Sequence, residues 1–579
     1  MTASGYIDAI RILPLSLANA QIEDFCGISN FFRDADSFCY NQYVDRFKKA
    51  ERDEYGDWQT SMRMALSVCR LIKEKGADPK IIVEPTCGKG HFILAALQTF
   101  DNIEEIYGIE IHEPYLEELK ISILQYFLDN PNARKVKIRL FHQSVFDFDF
   151  VSIKKNIGKR EVLSVGNPPW VTNSKLGVMQ SENLPIKSNF KKVKGIDAIT
   201  GKGNFDIAEY ICGQMLDFLK GEHATLAFLV KNSVIKNLIY EQKKKRRPIT
   251  FLSQYNIDAK EEFGVSVSAA LLYAQMGNEC SQQCLVQDFY SLKKLKEYGW
   301  TDNSFVSDLA SYKQYSYMDG RSSLTWWSGI KHDCSKVMEL SLKGGKYING
   351  FGQTVNIESD LIYPLVKSST IKKEQITTTC KYVIITQKTT SEDTGWIKES
   401  YPLTYTYLNE YAPLLDKRKS CIYRNRPRFC LFGIGGYSFK RYKVVVSGLY
   451  KEPRFSLVGE IDGKPAMLDD TCYLLGFDNY EEAHVALKLL NSHPVQSFVR
   501  SLLFADAKRV INKDLLMRID LLKIADRMTK SDLDMLCING SDWEKFVSCV
   551  KSNPVPAKYD LFNGDMEAGM LSSPQQGRL

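Results

Sequence analysis

Residues 81–92 read IIVEPTCGKGHF, and this stretch indicates the fold of the N-terminal half. A short apolar run typical of a strand leads into a turn that contains Gly88 and Gly90, and the helical segment LAAL follows. Glycine has no side chain and tolerates positive φ, so both positions allow the backbone to approach a ligand closely. The GxxxxGK[ST] spacing of a phosphate loop is missing, and the GxGxxG pattern is incomplete. The stretch therefore predicts a strand, a tight turn and a helix at a ligand site without a phosphate chain.

The region around this stretch, about residues 46–285, alternates between strand-like and helical segments. Apolar strand-like runs lie at 81–84, 106–109, 136–140, 162–166, 226–230 and 269–274. The clearest helical pattern covers 206–220, where one apolar stripe ends before Gly221. Such alternation predicts an α/β, Rossmann-like fold with a mostly parallel sheet and helices on both of its faces.

The rest of the chain has a different pattern. A chain of 579 residues is too long for one core, and after about residue 290 the alternation gives way to a region rich in Tyr, Ser, Lys and Gly. Short strand-like runs at 382–386 and 443–447, with helical patterns at 482–491 and 494–504, favour an α+β module. We predict four segments: a helical extension over 1–45, a catalytic domain over 46–285, an α+β recognition domain over 286–556 and a flexible tail over 557–579.

Composition excludes several classes of protein. With 44% hydrophobic and 25% charged residues, the chain is neither largely disordered nor fibrous. No apolar run reaches the roughly 18–20 residues that span a bilayer, and the N-terminus lacks a basic leader, so we expect no membrane association. The 14 cysteines form no CxxC pair and the 7 histidines are dispersed, which predicts no metal and a cytoplasmic location. The net charge of +7 permits a nucleic-acid partner without requiring one.

The second strand-like run, IYGIE, ends in Glu110, 20 residues after Gly90. A carboxylate at the end of the second strand is well placed to accept hydrogen bonds from ribose hydroxyls. A nucleoside without a phosphate chain fits this pattern better than a dinucleotide, so the predicted cofactor is S-adenosyl-L-methionine. A strand, turn and helix without a ligand would look similar, and that alternative stays open.

Residues 167–170, NPPW, directly follow the strand-like run VLSVG. Consecutive prolines cannot continue a ladder, so the strand must end here, at the edge of a parallel sheet where ligands bind. The side-chain oxygen of Asn167 and the carbonyl of Pro168 can accept both hydrogens of an exocyclic amine, while Pro169 keeps the turn rigid. An exposed Trp170 indole would stack on a flat base. The pattern predicts methylation of a nucleobase amine; a plain turn with a buried tryptophan is the alternative.

Seven segments, in this order, resemble the γ class of amino-methyltransferases, the adenine-N6 DNA methyltransferases of type II restriction–modification systems. They are QTSMRM (59–64), EPTCGKGHF (84–92), GIE (108–110), GNPPW (166–170), NFDIAEY (204–210), ATLAFLVKNS (224–233) and EEFGVSVSAALLYA (261–274). The resemblance covers about residues 46–285. Within the class, the chain is similar to the BseCI/ClaI-like modification methylases, which act on ATCGAT.

The resemblance implies roles for individual residues. The residues that it places on the cofactor are Trp58, Gln59, Thr60, Glu84, Pro85, Cys87, Gly88, Gly90, Glu110, Ile111, Ser144, Val145 and Asn167. Ser144 stands where the family commonly has Asp, and Asp147 is the alternative contact to the cofactor adenine. Phe263 matches the aromatic residue that packs on the flipped base opposite Trp170, although an ordinary core phenylalanine would fit equally. The implied catalytic set is Asn167, Pro168, Pro169, Trp170 and Phe263.

A base within duplex DNA must be flipped out to reach such a pocket, and the enzyme must hold the flanking DNA. Between residues 417 and 454 the chain has 11 basic residues and one acid, Glu452, with interleaved aromatic residues and glycines. This pattern is typical of nucleic-acid contacts, although a solvated basic face is the alternative. The predicted DNA-binding residues are Lys243, Lys244, Lys245, Arg246, Arg418, Lys419, Arg424, Arg426, Arg428, Lys440, Arg441 and Lys443.

Taken together, the residues and the resemblance predict a monomeric, site-specific adenine-N6 methyltransferase of duplex DNA in the bacterial cytoplasm. Its cognate restriction endonuclease would share the DNA site without needing to bind the chain. Cytosine-N4 transfer is an alternative, although that group more often has Ser in place of Asn167. Glutamine methylation would leave the C-terminal half unexplained. A bifunctional enzyme would need a nuclease motif, which is not found ahead of residue 46, and a non-catalytic DNA-binding protein is the remaining alternative.

Overall fold

The computed structural model describes residues 59–171, 206–504 and 509–553. The chain divides into two compact units, Met1–Phe305 and Val306–Leu579. The boundary therefore lies after Phe305 and not after residue 285, because the strands that follow residue 285 complete the sheet of the first unit. The predicted extension over 1–45, the tail over 557–579 and Trp58 lie outside the described residues.

The strands of the first unit are β1 (Ile81–Glu84), β2 (Glu105–Glu110), β3 (Lys137–His142), β4 (Val162–Gly166), β5 (Ala224–Lys231), β6 (Ile249–Ile257), β7 (Ala269–Met276), β8 (Gln283–Asp288), β9 (Lys294–Thr301) and β10 (Ser304–Val306). Its helices are α1 (Met62–Glu74), α2 (His91–Thr99), α3 (Glu113–Asp129), α4 (Phe150–Ile157), α5 (Ile207–Phe218), α6 (Asn232–Lys245) and α7 (Ala259–Phe263).

These strands form one ten-stranded sheet in the order β10-β9-β8-β6-β7-β5-β4-β1-β2-β3. The run from β5 through β4, β1 and β2 to β3 is parallel, whereas β7 pairs antiparallel with both β5 and β6. All four residues of β1 are buried, which requires cover on both faces of the sheet. The predicted Rossmann-like α/β fold is confirmed.

The sequence pattern locates most elements of this unit but misses β6 and the strands after β7. In β6 the polar residues Ser253 and Gln254 are buried, so the strand has no continuous apolar run. The Gln254 side chain accepts a hydrogen bond of 2.9 Å from the Tyr298 hydroxyl on β9 and donates one of 2.8 Å to Asn256. The contact between Gln254 and Tyr298 shows that the polar side chain of a buried strand can be satisfied by a residue far away in the sequence.

The second unit is α+β, as predicted. Its strands are β11 (Trp327–Ser328), β12 (Glu339–Lys343), β13 (Lys346–Ile348), β14 (Ile362–Val366), β15 (Gln375–Ile376), β16 (Lys381–Ile384), β17 (Tyr442–Ser447), β18 (Phe455–Val458), β19 (Glu460–Ile461), β20 (Lys464–Pro465), β21 (Met467–Leu468) and β22 (Cys472–Phe477). They form two five-stranded sheets, β11-β22-β17-β18-β15 and β13-β12-β16-β14-β21, and the β19-β20 hairpin.

Helices of the second unit pack on these sheets and on one another. They are α8 (Leu309–Tyr315), α9 (Ser335–Met338), α10 (Ile397–Ser400), α11 (Pro402–Glu410), α12 (Ala412–Asp416), α13 (Tyr480–Asn491), α14 (His493–Leu502), α15 (Lys513–Leu516), α16 (Leu521–Ala525), α17 (Lys530–Met535) and α18 (Gly540–Ser552). The largest apolar core of this unit joins α13 and α14 to β17 and β22. Within the described ranges, no helix is long and apolar enough to cross a bilayer.

Candidate active site

A cavity of about 930 Å³, counted with its open mouth, lies at the carboxyl ends of β1, β2 and β4. Most of the predicted cofactor contacts line it: Gln59, Thr60, Glu84, Pro85, Cys87, Gly88, Glu110, Ile111, Ser144, Val145 and Asn167. Pro169, predicted for the catalytic set, also lines it. The prediction missed a second set of lining residues: Thr86, His91, Phe92, Ile109, His112, Tyr115, Gln143, Phe146, Val171, Ile207 and Ile211. Several of these residues directly follow a predicted contact in the sequence. Extending the prediction to all residues at the ends of the strands would therefore have found them.

The glycine turn brings the backbone onto a carboxylate. Gly88 has φ of +50°, and its N–H donates a hydrogen bond of 2.7 Å to Oε2 of Glu110. The other oxygen of Glu110 accepts from the N–H of His112 at 2.9 Å, so the carboxylate is held in one orientation beside the cavity. Gly90 does not line the cavity. Its φ is +73°, and a Cβ there would lie 2.1 Å from the side chain of Leu119, so glycine suits both the backbone and the packing at this position.

Glu84 is a buried carboxylate with little compensation from the protein. It is 2% exposed, and burial together with the nearby Glu110 raises its pKa well above the usual range, although a backbone hydrogen bond from Ile93 acts in the opposite direction. Among the described residues, its Oε2 atom has no hydrogen-bond partner. A buried carboxylate at a cavity wall, next to a second carboxylate, favours a ligand that carries positive charge.

Asn167 lies at the end of β4, and its amide orientation is set by Thr60. Its Nδ2 atom donates a hydrogen bond of 3.2 Å to Oγ1 of Thr60, which is 5% exposed. The carbonyl of Thr60 lies 2.5 Å from Nδ1 of His91, so the segment that precedes α1 is anchored to the start of α2. With the amide nitrogen directed to Thr60, the side-chain oxygen is the acceptor that Asn167 presents. Pro169 also lines the cavity, whereas Pro168 does not.

The structure corrects the expectation of an exposed Trp170. The residue is 6% exposed, its indole N–H donates to the carbonyl of Leu229 at 3.1 Å, and its own carbonyl accepts from Nζ of Lys231 at 2.9 Å. Phe263 packs edge-on against the indole, with 5.1 Å between ring centroids and 66° between planes. The two predicted aromatic residues are therefore brought together, but in contact with each other and not as an open slot.

Phe263 is the last residue of α7, and an ion pair holds this short helix. Arg63 on α1 donates to Glu262 at 2.9 Å, and the Tyr290 hydroxyl donates to the same oxygen at 3.2 Å. Asp258 caps the helix by accepting from the N–H groups of Lys260 and Glu261. Sequence reasoning missed the Arg63–Glu262 pair because its members lie 199 residues apart.

Ser144 lines the cavity, whereas Asp147 is exposed and does not line it. The hydroxyl of Ser144 also accepts from the N–H of Phe146 at 3.3 Å, within the turn after β3. Of the two residues proposed for the cofactor adenine, the structure thus places only Ser144 at the cavity.

Several predicted DNA-binding residues are buried or have partners within the protein. Lys443 is 1% exposed, with Nζ donating to the carbonyl of Lys440, and burial lowers its pKa to about 7. Three others form ion pairs: Arg428 with Asp416, Lys440 with Asp478, and Arg441 with Glu460. Arg418 instead donates hydrogen bonds to the backbone carbonyls of Leu415, Cys430, Arg428 and His332. Charge in the sequence thus overstates the charge available to a ligand.

The remaining predicted basic residues lie at the surface. In the first unit, Lys243 donates to Asn303 at 2.9 Å and lies 4.4 Å from the ring centroid of Trp300, while Lys244, Lys245 and Arg246 are exposed. In the second unit, Lys419 and Arg424 are exposed, and Arg426 is half-buried beside Phe432.

No protein-family model matches the chain. A curated relative, the type II methyltransferase M.NspV of Nostoc sp., is 40% identical over 470 residues, which cover 81% of this chain and 96% of the relative. The type IIL restriction-modification enzyme MmeI, solved in complex with DNA, is 13% identical with a TM-score of 0.47, over 96% of this chain and 76% of that chain. The type IIG restriction endonuclease BpuSI is 12% identical with a TM-score of 0.35, over 85% of this chain and 65% of that chain. Neither solved structure is close enough to bear on function.

Proposed function

The chain belongs to the type II methyltransferases, and from that premise we propose that it methylates the exocyclic N6 of adenine at a specific site in duplex DNA. The observation that carries this proposal is the orientation of Asn167, whose amide nitrogen is bound to Thr60 at the wall of a cavity that contains Glu84 and Glu110. The biological role that we propose is protection of the site from a cognate restriction enzyme in the bacterial cytoplasm.

S-adenosyl-L-methionine is the cofactor, and it supplies an activated methyl group when bound. The cavity residues fit it: its positively charged groups match the buried carboxylate of Glu84, which lacks a partner at Oε2 within the described residues. Glu110 is held beside the cavity by the N–H groups of Gly88 and His112, at the end of the second strand where a carboxylate can contact a ribose. Gln59 lies within 3 Å of where a Cβ of Gly88 would stand, so the side chain of Gln59 closes over the glycine turn.

The chemistry needs acceptors and no ionisable nucleophile. The lone pair of an adenine amine is delocalised into the ring, which makes the nitrogen a poor nucleophile. The oxygen of Asn167 and the carbonyl of Pro168 would accept its two hydrogens, return electron density to nitrogen and stabilise the positive charge that develops there. Fixed acceptors of this kind are worth several kcal/mol at order of magnitude. Thr60 contributes by holding the amide plane before the base arrives.

The flipped target base also needs an aromatic side chain on which to stack. Stacking on both Trp170 and Phe263 would require roughly 7 Å between their planes, twice the contact distance of carbon atoms. The rings are instead edge-on at 5.1 Å between centroids. Trp170 is held by Leu229 and Lys231 through its indole and its backbone, so we propose that Phe263 and α7 move when a flipped base enters.

The test is transfer of a labelled methyl group to duplex DNA of random sequence, followed by digestion and identification of the methylated nucleoside. N6-methyladenine is the expected product, and N4-methylcytosine would replace the adenine proposal with the cytosine alternative. Asn167→Ala should lower the transfer rate about 10²- to 10³-fold while cofactor binding persists. Full activity of that variant would exclude the proposed role of the amide. Mapping the flanks of each methylated base tests the ATCGAT site that the resemblance implies.

A further inference from the structure

The loop between α12 and residue 430, residues 417–430, combines a rigid base with an exposed basic apex. Residues 417–451 contain no acidic residue. Arg428 is ion-paired with Asp416 and Arg418 donates to backbone carbonyls, whereas Lys417, Lys419, Arg424 and Arg426 have no carboxylate partner among the described residues. Four cations without a carboxylate partner among the described residues thus lie close together on one loop.

Arg418 ties the two ends of this loop together. Its Nε donates to the carbonyl of Leu415 at 2.8 Å, and its two Nη atoms donate to the carbonyls of Cys430 at 2.8 Å and Arg428 at 3.1 Å. Its guanidinium also lies 3.7 Å from the ring centroid of Tyr423, close enough for a strong cation–π contact. Arg418 thus connects the two ends of the loop through backbone carbonyls, which restrains the base of the loop.

The apex of the loop is Arg424, Asn425 and Arg426, and its backbone is unusual. Asn425 is exposed with φ of +59°, a left-handed conformation that costs a residue with a side chain roughly 1 kcal/mol or more. Asparagine tolerates this conformation better than most residues. Pro427 follows and restricts the backbone on the exit side.

We propose that Arg424, Asn425 and Arg426 read base edges in the target DNA, and that Lys417 and Lys419 contact the flanking phosphates. Arginine binds guanine in a bidentate manner and asparagine does the same with adenine, so this tripeptide carries the side chains that discriminate purines in the major groove. Lysine is suited to phosphates, which position the protein without reading sequence. The inference rests on the proposed function, since it takes duplex DNA as the substrate.

The experiment is selection of bound duplexes from a random-sequence library by the full chain, for the wild type and single variants. Arg424→Ala or Arg426→Ala should reduce discrimination at one base position by about 5- to 150-fold. Asn425→Gly keeps the left-handed backbone but removes the amide, so it should relax a second position in the same way. Unchanged base preference in all three variants would overturn the reading role.

A matched pair of variants separates base reading from general attraction. Lys417→Ala with Lys419→Ala should weaken binding equally for all sequences and reduce the slope of log affinity against log salt by about 1 for each phosphate that is no longer neutralised. Lys451→Ala, an exposed lysine outside the loop, should leave base preference unchanged. The experiment measures DNA binding and not methyl transfer. Its result can therefore be interpreted even if the methylated base proves to be cytosine. A wild type that shows no sequence preference for duplex DNA overturns the reading role, whatever base is methylated.

Discussion

Both units of the molecule bury ionisable groups, but the two regions do so in different ways. In the first unit, Glu84 and Glu110 face a cavity, and Glu84 keeps one oxygen atom without a partner within the described residues. In the second unit, burial raises the pKa of Glu339, yet hydrogen bonds from His332 and Lys367 outweigh it and lower the pKa to about 2. Lys443 likewise directs its ammonium to the carbonyl of Lys440.

This difference distinguishes a buried charge at a ligand site from a buried charge that only stabilises the fold. A buried charge that the protein itself neutralises or hydrogen-bonds stabilises a local arrangement, and it has no capacity left for a ligand. A buried charge that faces open space and lacks compensation is costly unless a ligand of opposite charge binds there. By this criterion the cavity of the first unit is a ligand site, whereas Lys443 and Glu339 are structural.

The largest expected effect concerns Glu84. Glu84→Gln should weaken cofactor binding by about 2–4 kcal/mol, because the variant removes a buried opposite charge. Since the pKa of the free carboxyl is raised and a cationic ligand favours its ionised form, binding should release a proton. Cofactor affinity should therefore fall as the pH drops through this raised pKa. Calorimetry in buffers of different ionisation enthalpy measures the released proton.

Asp147→Asn is the matched control, because this carboxylate is exposed and lies outside the cavity. It should change neither the affinity nor the proton release. If Asp147→Asn weakens cofactor binding as strongly as Glu84→Gln, the contrast between cavity-facing and solvent-facing carboxylates is wrong.

A smaller effect is expected at Lys443, and it concerns stability. Its folded pKa of about 7 lies below the ordinary value of 10.5, so the unfolded chain binds more protons between these two values. The free energy of unfolding should therefore rise with pH in this window, by about 2 kcal/mol from pH 7 to pH 9. Denaturant unfolding of the wild type and of Lys443→Met at several pH values measures this slope, which should be absent in the variant.

Lys440 offers the control for this measurement, because it is a surface lysine that pairs with the exposed Asp478. Lys440→Met should retain the pH slope of the wild type. An equal slope in Lys443→Met and the wild type would show that the buried ammonium is not the cause.

The smallest effect is expected at the pair that holds Phe263. Arg63 is largely exposed, so Arg63→Ala should lower the free energy of unfolding by only about 1 kcal/mol or less. In this variant the buried side chain of Glu262 keeps the hydrogen bond from the Tyr290 hydroxyl. Because α7 would then be less restrained, the fluorescence of 2-aminopurine at the target position should change while cofactor affinity does not. Arg63→Lys, which keeps the charge, should restore the signal in part. An unchanged fluorescence signal in Arg63→Ala would mean that the pair does not position Phe263.

The sequence predicts the first unit well wherever a local pattern decides the structure. The strands β1 and β4 begin and end where the apolar runs at 81–84 and 162–166 do. Glu110 and Asn167 lie at the predicted ends of their strands because turns and prolines mark those ends in the sequence itself. The mixed polarity of β6 and the true boundary after Phe305 depend on pairing between distant strands, which no local pattern reveals.

By itself, the amino-acid sequence determined the fold class, the strand ends at which the cofactor cavity lies and the turn that presents Asn167, because patterns of neighbouring residues mark strands, strand ends and turns. Only the tertiary structure decided that Trp170 is buried against Phe263, that Oε2 of Glu84 has no partner within the described residues, and which cations near residue 430 are exposed. Those outcomes depend on partners such as Leu229 and Asp478, which folding brings near. The physical reason is that burial and charge pairing are properties of the packed chain, whereas strand ends and turns are set by neighbouring residues.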